Sequence, residues 1–383
     1  MNKQLKYVPI FRARQQELIV LKSFDFGENI YPCVEIIKEL DRVPPKPRAN
    51  AKKPAAPKKT KIFEDVYLPL IRNIKAKKVF VDLPVQLKAD RGMKPETFLF
   101  LRTVVTKREQ RTEYIKKFAP LAAKVIPVIS TYSQLTGERS SITIQEREIR
   151  EDFNTLAFRT FPETFARDIV QIQAVIKTSD YLIMDWGDME LDLEDEDQLD
   201  IIEDLKKLEC TVITHRNPFH KDITNVSLEH GEIVDKIDNS LLDKYEDFAG
   251  SCFSDYVGIK KDNIGDGGIT SPGFIYYDAV KNNFYGFRFK HGSHKKGGQL
   301  PELAEFETTI VPAVIASEAT KRMRADTLDF LGAANVGWRI IKNIELGEPH
   351  GESGKSAAKF KRIGMEHYLH CLKTRIANGD FNN

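Results

Sequence analysis

No run of about 18 apolar residues occurs in this 383-residue chain, so no transmembrane helix is expected. Net charge is nearly absent as well. Against 58 Lys and Arg stand 56 Asp and Glu, and the resulting +2 supplies no overall field for a nucleic acid or a membrane surface. Cysteine is scarce: Cys33, Cys210, Cys252 and Cys371 are far apart and form no C-x-x-C pair. That excludes a disulfide framework and suits small buried hydrophobes in a reducing cytoplasm. The opening MNKQLKYVPIFR enters a strand too soon for a signal peptide. No G-x-G-x-x-G follows the first strand, which removes the main support for a dinucleotide-binding fold. The GESGKS run at 351–356 has Pro349 where a phosphate loop needs its first glycine, and no apolar strand leads into it.

What the chain does contain is one short pattern, repeated. Eight apolar segments each end in a polar, chemically capable residue. They are YVPIFR at Arg12, YPCVE at Glu35, VFVD at Asp82, IPVIS at Ser130, TLAFR at Arg159, LIMD at Asp185, TVITH at His215 and CFSD at Asp255. Helix-like stretches at 15–24, 63–77, 94–123, 144–153, 162–178, 199–208 and 235–248 lie between them. Such alternation predicts parallel βαβ units. Eight of them favour an α/β fold, a closed (β/α)8 TIM-type barrel, over an open doubly wound sheet, with the working face at the C-terminal strand ends. The expected organisation is a barrel body at 1–258, a β-hairpin plus helical insertion at 259–350 after the eighth strand, and a linker with a C-terminal helix at 351–383.

At that face Glu35, Asp82, Asp185 and Asp255 are the candidate oxygen ligands for a divalent cation. His215 is the candidate acid/base, beside Asp185 and Glu35 as catalytic carboxylates. Arg12, Arg159 and Arg216, with Asp255, are candidates for holding a phosphate or carboxylate substrate. Together they describe a hydrolase acting on a phosphodiester or nucleotide. The same residues also admit a bland reading, in which the acids cap helices or pair with the arginines and the ring neutralises itself.

Charge is segregated locally. The segment 44–61, PPKPRANAKKPAAPKKTK, has seven basic residues and no acid. It reads as a flexible loop after the second strand, and Lys52, Lys53, Lys58 and Lys59 are candidates for gripping an anionic ligand or a nucleic-acid backbone. The segment 188–204 has ten carboxylates and no basic residue, in the loop after the sixth strand and thus opposite the first across the mouth. Both also suit solvated loops. The hairpin expected from FIYYDAV and FYGFRF, turning at Lys281-Asn282-Asn283, carries Phe274, Tyr276, Tyr277, Phe284, Tyr285, Phe287 and Phe289, with Arg288, Lys290, His291, His294, Lys295 and Lys296 beyond. It either stacks bases or packs its aromatic face on the parent domain, where it would also form a lid. Helices at 302–344 are expected to break near Pro312. His291 with His294, and His367 with His370 and Cys371, have no Cys pair or HExxH beside them, which argues against zinc.

Tyr7-Val8-Pro9-Ile10, Gln16-Glu17-Leu18, the stretch 21–24 and IYPCVEI at 30–36 resemble the opening of the phage "beta protein" family, in which xPIxxxRxxE leads to a PxxEI strand. SCFSDYVG at 251–258 is similar to that family's DY strand. Lys361-Arg362-Ile363-Gly364 with His367 resembles its R-x-x-G-x-x-H stretch, except that Tyr368 stands where a second histidine is expected. The resemblance implies a TIM-barrel-like protein of phages and bacteria, often met among mobile or phage-defence genes, with no established reaction. Two functions stay open. One is a recognition or assembly component in phage–host conflict, binding an anionic ligand or nucleic acid at the C-terminal face, with a protein partner in a defence or phage complex and no membrane. The other is the hydrolase.

Overall fold

The computed structural model describes residues 4–40, 61–87, 92–225, 227–260, 273–288, 306–348, 357–379 and 381. The basic segment 44–60 (with Lys52, Lys53, Lys58 and Lys59), residues 289–296 and the GESGKS run lie outside them.

Eight parallel strands close into a barrel. They are β1 (Tyr7–Arg12), β2 (Cys33–Glu35), β3 (Val79–Asp82), β4 (Val125–Ser130), β5 (Ala157–Thr160), β6 (Tyr181–Asp185), β7 (Thr211–His215) and β8 (Cys252–Asp255). Each pairs with its neighbours in sequence, and β8 pairs back onto β1. The strands read as unbroken apolar runs because both faces are buried. Side-chain alternation then sorts them. Val8, Ile10, Cys33, Phe80, Val128, Ala157, Ile183, Ile213 and Cys252 pack together in the lumen. Phe11, Val34, Val81, Ile129, Phe158, Leu182, Val212 and Phe253 join the larger cluster shared with the helices.

The same alternation decides where the polar tips go. On β8 the lumen set is Cys252 and Ser254, so Asp255 falls on the outer face. There it accepts hydrogen bonds from Tyr7 Oη (2.5 Å), Tyr368 Oη (2.5 Å) and the Val257 amide (2.7 Å). This seam fastens β1, β8 and the last helix together.

The helices follow the expected rhythm with informative departures. They are α1 (Gln15–Ser23), α2 (Phe63–Asn73), α3 (Pro95–Thr106), α4 (Arg108–Lys116), α5 (Ser141–Arg150), α6 (Phe165–Val175), α7 (Glu196–Lys206), α8 (Leu241–Lys244), α9 (Val311–Ala316), α10 (Glu318–Ala325), α11 (Val336–Glu345) and α12 (Ala357–Ala377). The single helix expected at 94–123 is two, broken where Lys107 adopts φ −130° and ψ 90°. The helix expected at 235–248 is only the four-residue α8. Its place beside β8 and β1 is taken by α12, which packs on α1 and meets β8 through Tyr368. Pro312 sits in the first turn of α9, just where a π-helical run at Phe306–Ile310 passes into it, so the helical path changes type beside the proline. Part of the acidic segment is ordinary helix capping: Asp195 accepts the Gln198 amide, and Glu196 and Asp197 face the positive end of α7.

The hairpin forms as β9 (Gly273–Asp278) and β10 (Asn283–Arg288), and Asn282 takes the positive φ (52°) at its turn. Phe274, Tyr276, Tyr277, Phe284 and Phe287 are buried. These aromatics pack in the core instead of offering faces to bases. His367 stacks on Tyr276 at 4.5 Å. Its Nε2–H donates to the Tyr277 carbonyl and its Nδ1 accepts from the Asn335 amide, both at 2.9 Å. His370 contacts the Asp329 carbonyl instead. The histidines of α12 are thus structural. Among the described residues, no helix is long and apolar enough to cross a membrane.

Candidate ligand site at the barrel mouth

Glu35, Asp82, Arg159, Asp185 and His215 all point into the lumen at its C-terminal end and are at most 4% exposed. The three carboxylates do converge on one cation, and it is the guanidinium of Arg159. Arg159 donates to Asp185 Oδ2 at 2.9 and 2.6 Å, to Asp82 Oδ2 at 2.7 Å and to Glu35 Oε1 at 3.0 Å. Burial alone would lower the pKa of this guanidinium, but the surrounding carboxylates hold it well above its ordinary value. Arg12 approaches Glu35 Oε2 at 3.4 Å. Arg111, fully buried on α4, donates to Asp82 Oδ1 at 3.0 Å and is fixed by Gln145 Oε1 and the carbonyls of Leu83 and Val128. Three carboxylates therefore meet three guanidiniums.

The geometry departs from a shared divalent-cation site in two ways. Asp255 faces away, and the space between the other three acids is filled by Arg159. Among the described residues no group of three or more His, Cys, Asp or Glu side chains is arranged to hold a metal ion. His215 is tied to the network from below. Ser254 donates its hydroxyl proton to the Val8 carbonyl (2.6 Å), so the 2.9 Å contact between His215 Nδ1 and Ser254 Oγ is donated by Nδ1–H. Nε2 then lies 3.7 Å from Asp185 Oδ1. Arg216, one residue on, faces out of the lumen. It donates to the Met189 carbonyl and to Asp238, holding the acidic loop.

Among the described residues, two of the cavities above this plug reach Tyr256. The larger, about 520 Å³, lies among the loops after β3 to β8 and is lined by Gln134, Leu135, Phe161, Asp185, Asp188, Asn217 and Tyr256, among others. The smaller, about 200 Å³, lies between the end of β1, the start of α1, the segment after β8, and α12. Among the described residues Arg12, Arg14, Lys260 and Lys361 line it, together with the acid Glu17. Lys260 turns its ammonium to the carbonyls of Lys221 and Ile223. Arg14, the N-cap residue of α1, makes no side-chain cap hydrogen bond, and the positive end of the α1 dipole lies at this pocket. Burial pushes the Glu17 carboxyl up to about 7, against the pull of Arg12 and Arg14. Its carboxylate accepts the Arg12 backbone N–H.

Tyr256 lines both cavities. Its hydroxyl is 3.3 Å from Arg159 Nη2, and its ring meets His215 edge-on at 4.8 Å. Burial first, then the charge of Glu35, lifts its phenol well above 10, so it stays neutral. The next residue, Val257, has φ 58°, an uncommon conformation for a β-branched side chain. Gly258 follows at φ 61°, with no room for a Cβ beneath the Tyr368 ring.

Sequence patterning gave no site role to Arg111, Arg14, Glu17, Lys361 or Tyr256. Arg111 is hidden in a strongly polar helix. Arg14 and Glu17 fall within the xPIxxxRxxE opening, Tyr256 in the DY strand and Lys361 in the C-terminal stretch of the family resemblance, which was the available signal.

Fold and mouth together define a TIM-type (β/α)8 barrel of the α/β class whose lumen is closed by an arginine–carboxylate network. The sequence profile of the Beta protein family matches residues 7–372, nearly the whole chain, and the chain belongs to that family. No curated protein matches it.

Proposed function

We propose that this barrel is a recognition component in phage–host conflict that captures an anionic ligand at its C-terminal face, in the pocket between β1, α1, β8 and α12. The observation that carries this reading is the meeting of Arg14 and Lys361, from opposite ends of the chain, beside Arg12 and the uncapped start of α1. Cations and first-turn N–H groups around one small cavity favour a phosphate or carboxylate. The setting in phage–host conflict is what the resemblance to the phage beta proteins implies, and it belongs, with the notion of a protein partner, to the same proposal.

Hydrolysis ranks second. Asp185 lines the larger cavity, whereas His215, the candidate acid/base, is fully buried and lines neither of the two cavities.

The test is thermal unfolding in phosphate or sulfate against chloride at matched ionic strength. The native chain gains melting temperature with the oxyanions, and a chain carrying Arg14→Ala and Lys361→Ala does not. Equal gains in both chains, or none in either, reject the proposal. Asp185→Asn retains the gain; its loss together with loss of a phosphodiesterase activity present in the native chain would restore the hydrolase.

A further inference from the structure

We infer that the anion is the phosphate of a nucleotide, whose nucleoside lies on the other side of Tyr256 in the 520 Å³ cleft. The inference rests on the anion-binding reading above and names its ligand. Three features of the mouth lead to it.

The first is the division of charge. The described residues lining the larger cleft include Glu163, Asp185 and Asp188 and neither Lys nor Arg. Asp185 is paired with Arg159, but Glu163 and Asp188 disfavour an anionic group there, which belongs in the smaller pocket with Arg14 and Lys361. A ligand using both spaces is therefore anionic at one end only.

The second is the character of the cleft. Its volume lies within the range of roughly 300–1,000 Å³ usual for small organic ligands. Phe161 and Leu135 give it apolar walls suited to a flat ring, and Leu135 is 43% exposed although it is a large hydrophobe. Gln134 and Asn217 offer both donors and acceptors, and Asp188 offers acceptors only. A planar heterocycle carrying N–H groups on its edge matches that inventory better than a saturated chain does. The ribose hydroxyls suit the remaining carboxylates.

The third is Tyr256 itself, the residue common to both cavities. It is a neutral phenol held by Arg159 below and by the strained turn at Val257 behind. A residue that lines both cavities lets one ligand contact it from each, with a charged group beside Arg14 and Lys361 and a flat ring beside Phe161, which an inorganic oxyanion cannot do.

The experiment is isothermal titration calorimetry of the full chain with inorganic phosphate, the four common ribonucleoside monophosphates and their nucleosides. At least one monophosphate binds tenfold or more tightly than both inorganic phosphate and its own nucleoside. Lys361→Ala weakens inorganic phosphate and the monophosphate alike. Leu135→Glu, at an exposed position, weakens the monophosphate about tenfold and leaves inorganic phosphate unchanged. If phosphate binds and no monophosphate exceeds it, the nucleotide inference fails while anion capture stands. If a monophosphate exceeds phosphate equally in the Leu135→Glu chain, the base is not in the cleft and the inference fails as well. If neither phosphate nor any monophosphate binds, both readings fall.

Discussion

The hydroxyl of Tyr368 lies 2.5 Å from Asp255 Oδ2, although 113 residues separate them. Asp255 is the one strand-end acid of the four that faces away from the lumen, and this contact explains what it does. With Tyr7 on its other oxygen, it fastens the last helix to the seam where β8 meets β1. Tyr368→Phe removes a hydrogen bond to a buried carboxyl whose remaining partners stay in place, and should cost about 2 kcal/mol in urea unfolding. Unchanged stability would show that the seam does not depend on it.

Gly258 meets Tyr368 from the other side. A Cβ there would lie 2.6 Å from the Tyr368 ring, at a φ that side chains disfavour. Gly258→Ala should destabilise the chain by about 3 kcal/mol, the sum of the left-handed backbone cost and overpacking. A melting temperature equal to that of the native chain would contradict the close packing of α12 on β8.

Arg159 and Arg216 separate the buried network from the surface. Arg159→Met removes the guanidinium that Glu35, Asp82 and Asp185 share, leaving Arg111 on Asp82 and Arg12 on Glu35, and should cost about 3–5 kcal/mol or prevent folding. Arg216→Ala removes contacts to Met189 and to a half-exposed Asp238, and should cost about 1 kcal/mol. Equal costs, measured by denaturant unfolding, would deny the network its role as the plug of the barrel.

Acid should reveal two shifted groups of opposite sign. Burial lowers His367 to about 4, so between pH 6.5 and 4 the unfolded chain binds the proton that the folded chain refuses. Stability from the neutral ring is complete above pH 6.5 and falls by on the order of 3 kcal/mol as pH drops to 4. Glu17 is raised to about 7, so its protonated folded form adds stability that is present below pH 4.5 and is lost as pH rises to 7. The two trends oppose each other between pH 4.5 and 6.5. Glu17→Gln removes one of them, and its stability should fall on acidification faster than the native chain's, by about 1 kcal/mol per pH unit. Parallel profiles for the two chains would contradict the raised Glu17 carboxyl.

The barrel was legible because strands buried on both faces print themselves as apolar runs, and because a polar tip marks where each run reaches the mouth. The direction of a tip was not legible. Asp255 follows Ser254 by one residue, and a one-residue step reverses the face, so Ser254 meets His215 while Asp255 meets the helices. Nor could local pattern show that Arg159 would occupy the space between Glu35, Asp82 and Asp185, because tip order along the chain carries no reach across the lumen. The basic pocket was the least visible part. Arg14 and Lys361 stand about 350 residues apart in sequence, and only the packing of α12 against α1 brings them to one cavity.

That cavity is the central claim, and anomalous diffraction from crystals soaked in selenate tests it most directly. The account predicts a selenium peak within hydrogen-bonding reach of Arg14 and Lys361 at the start of α1. A peak confined to other sites, or none at the barrel mouth, would contradict it.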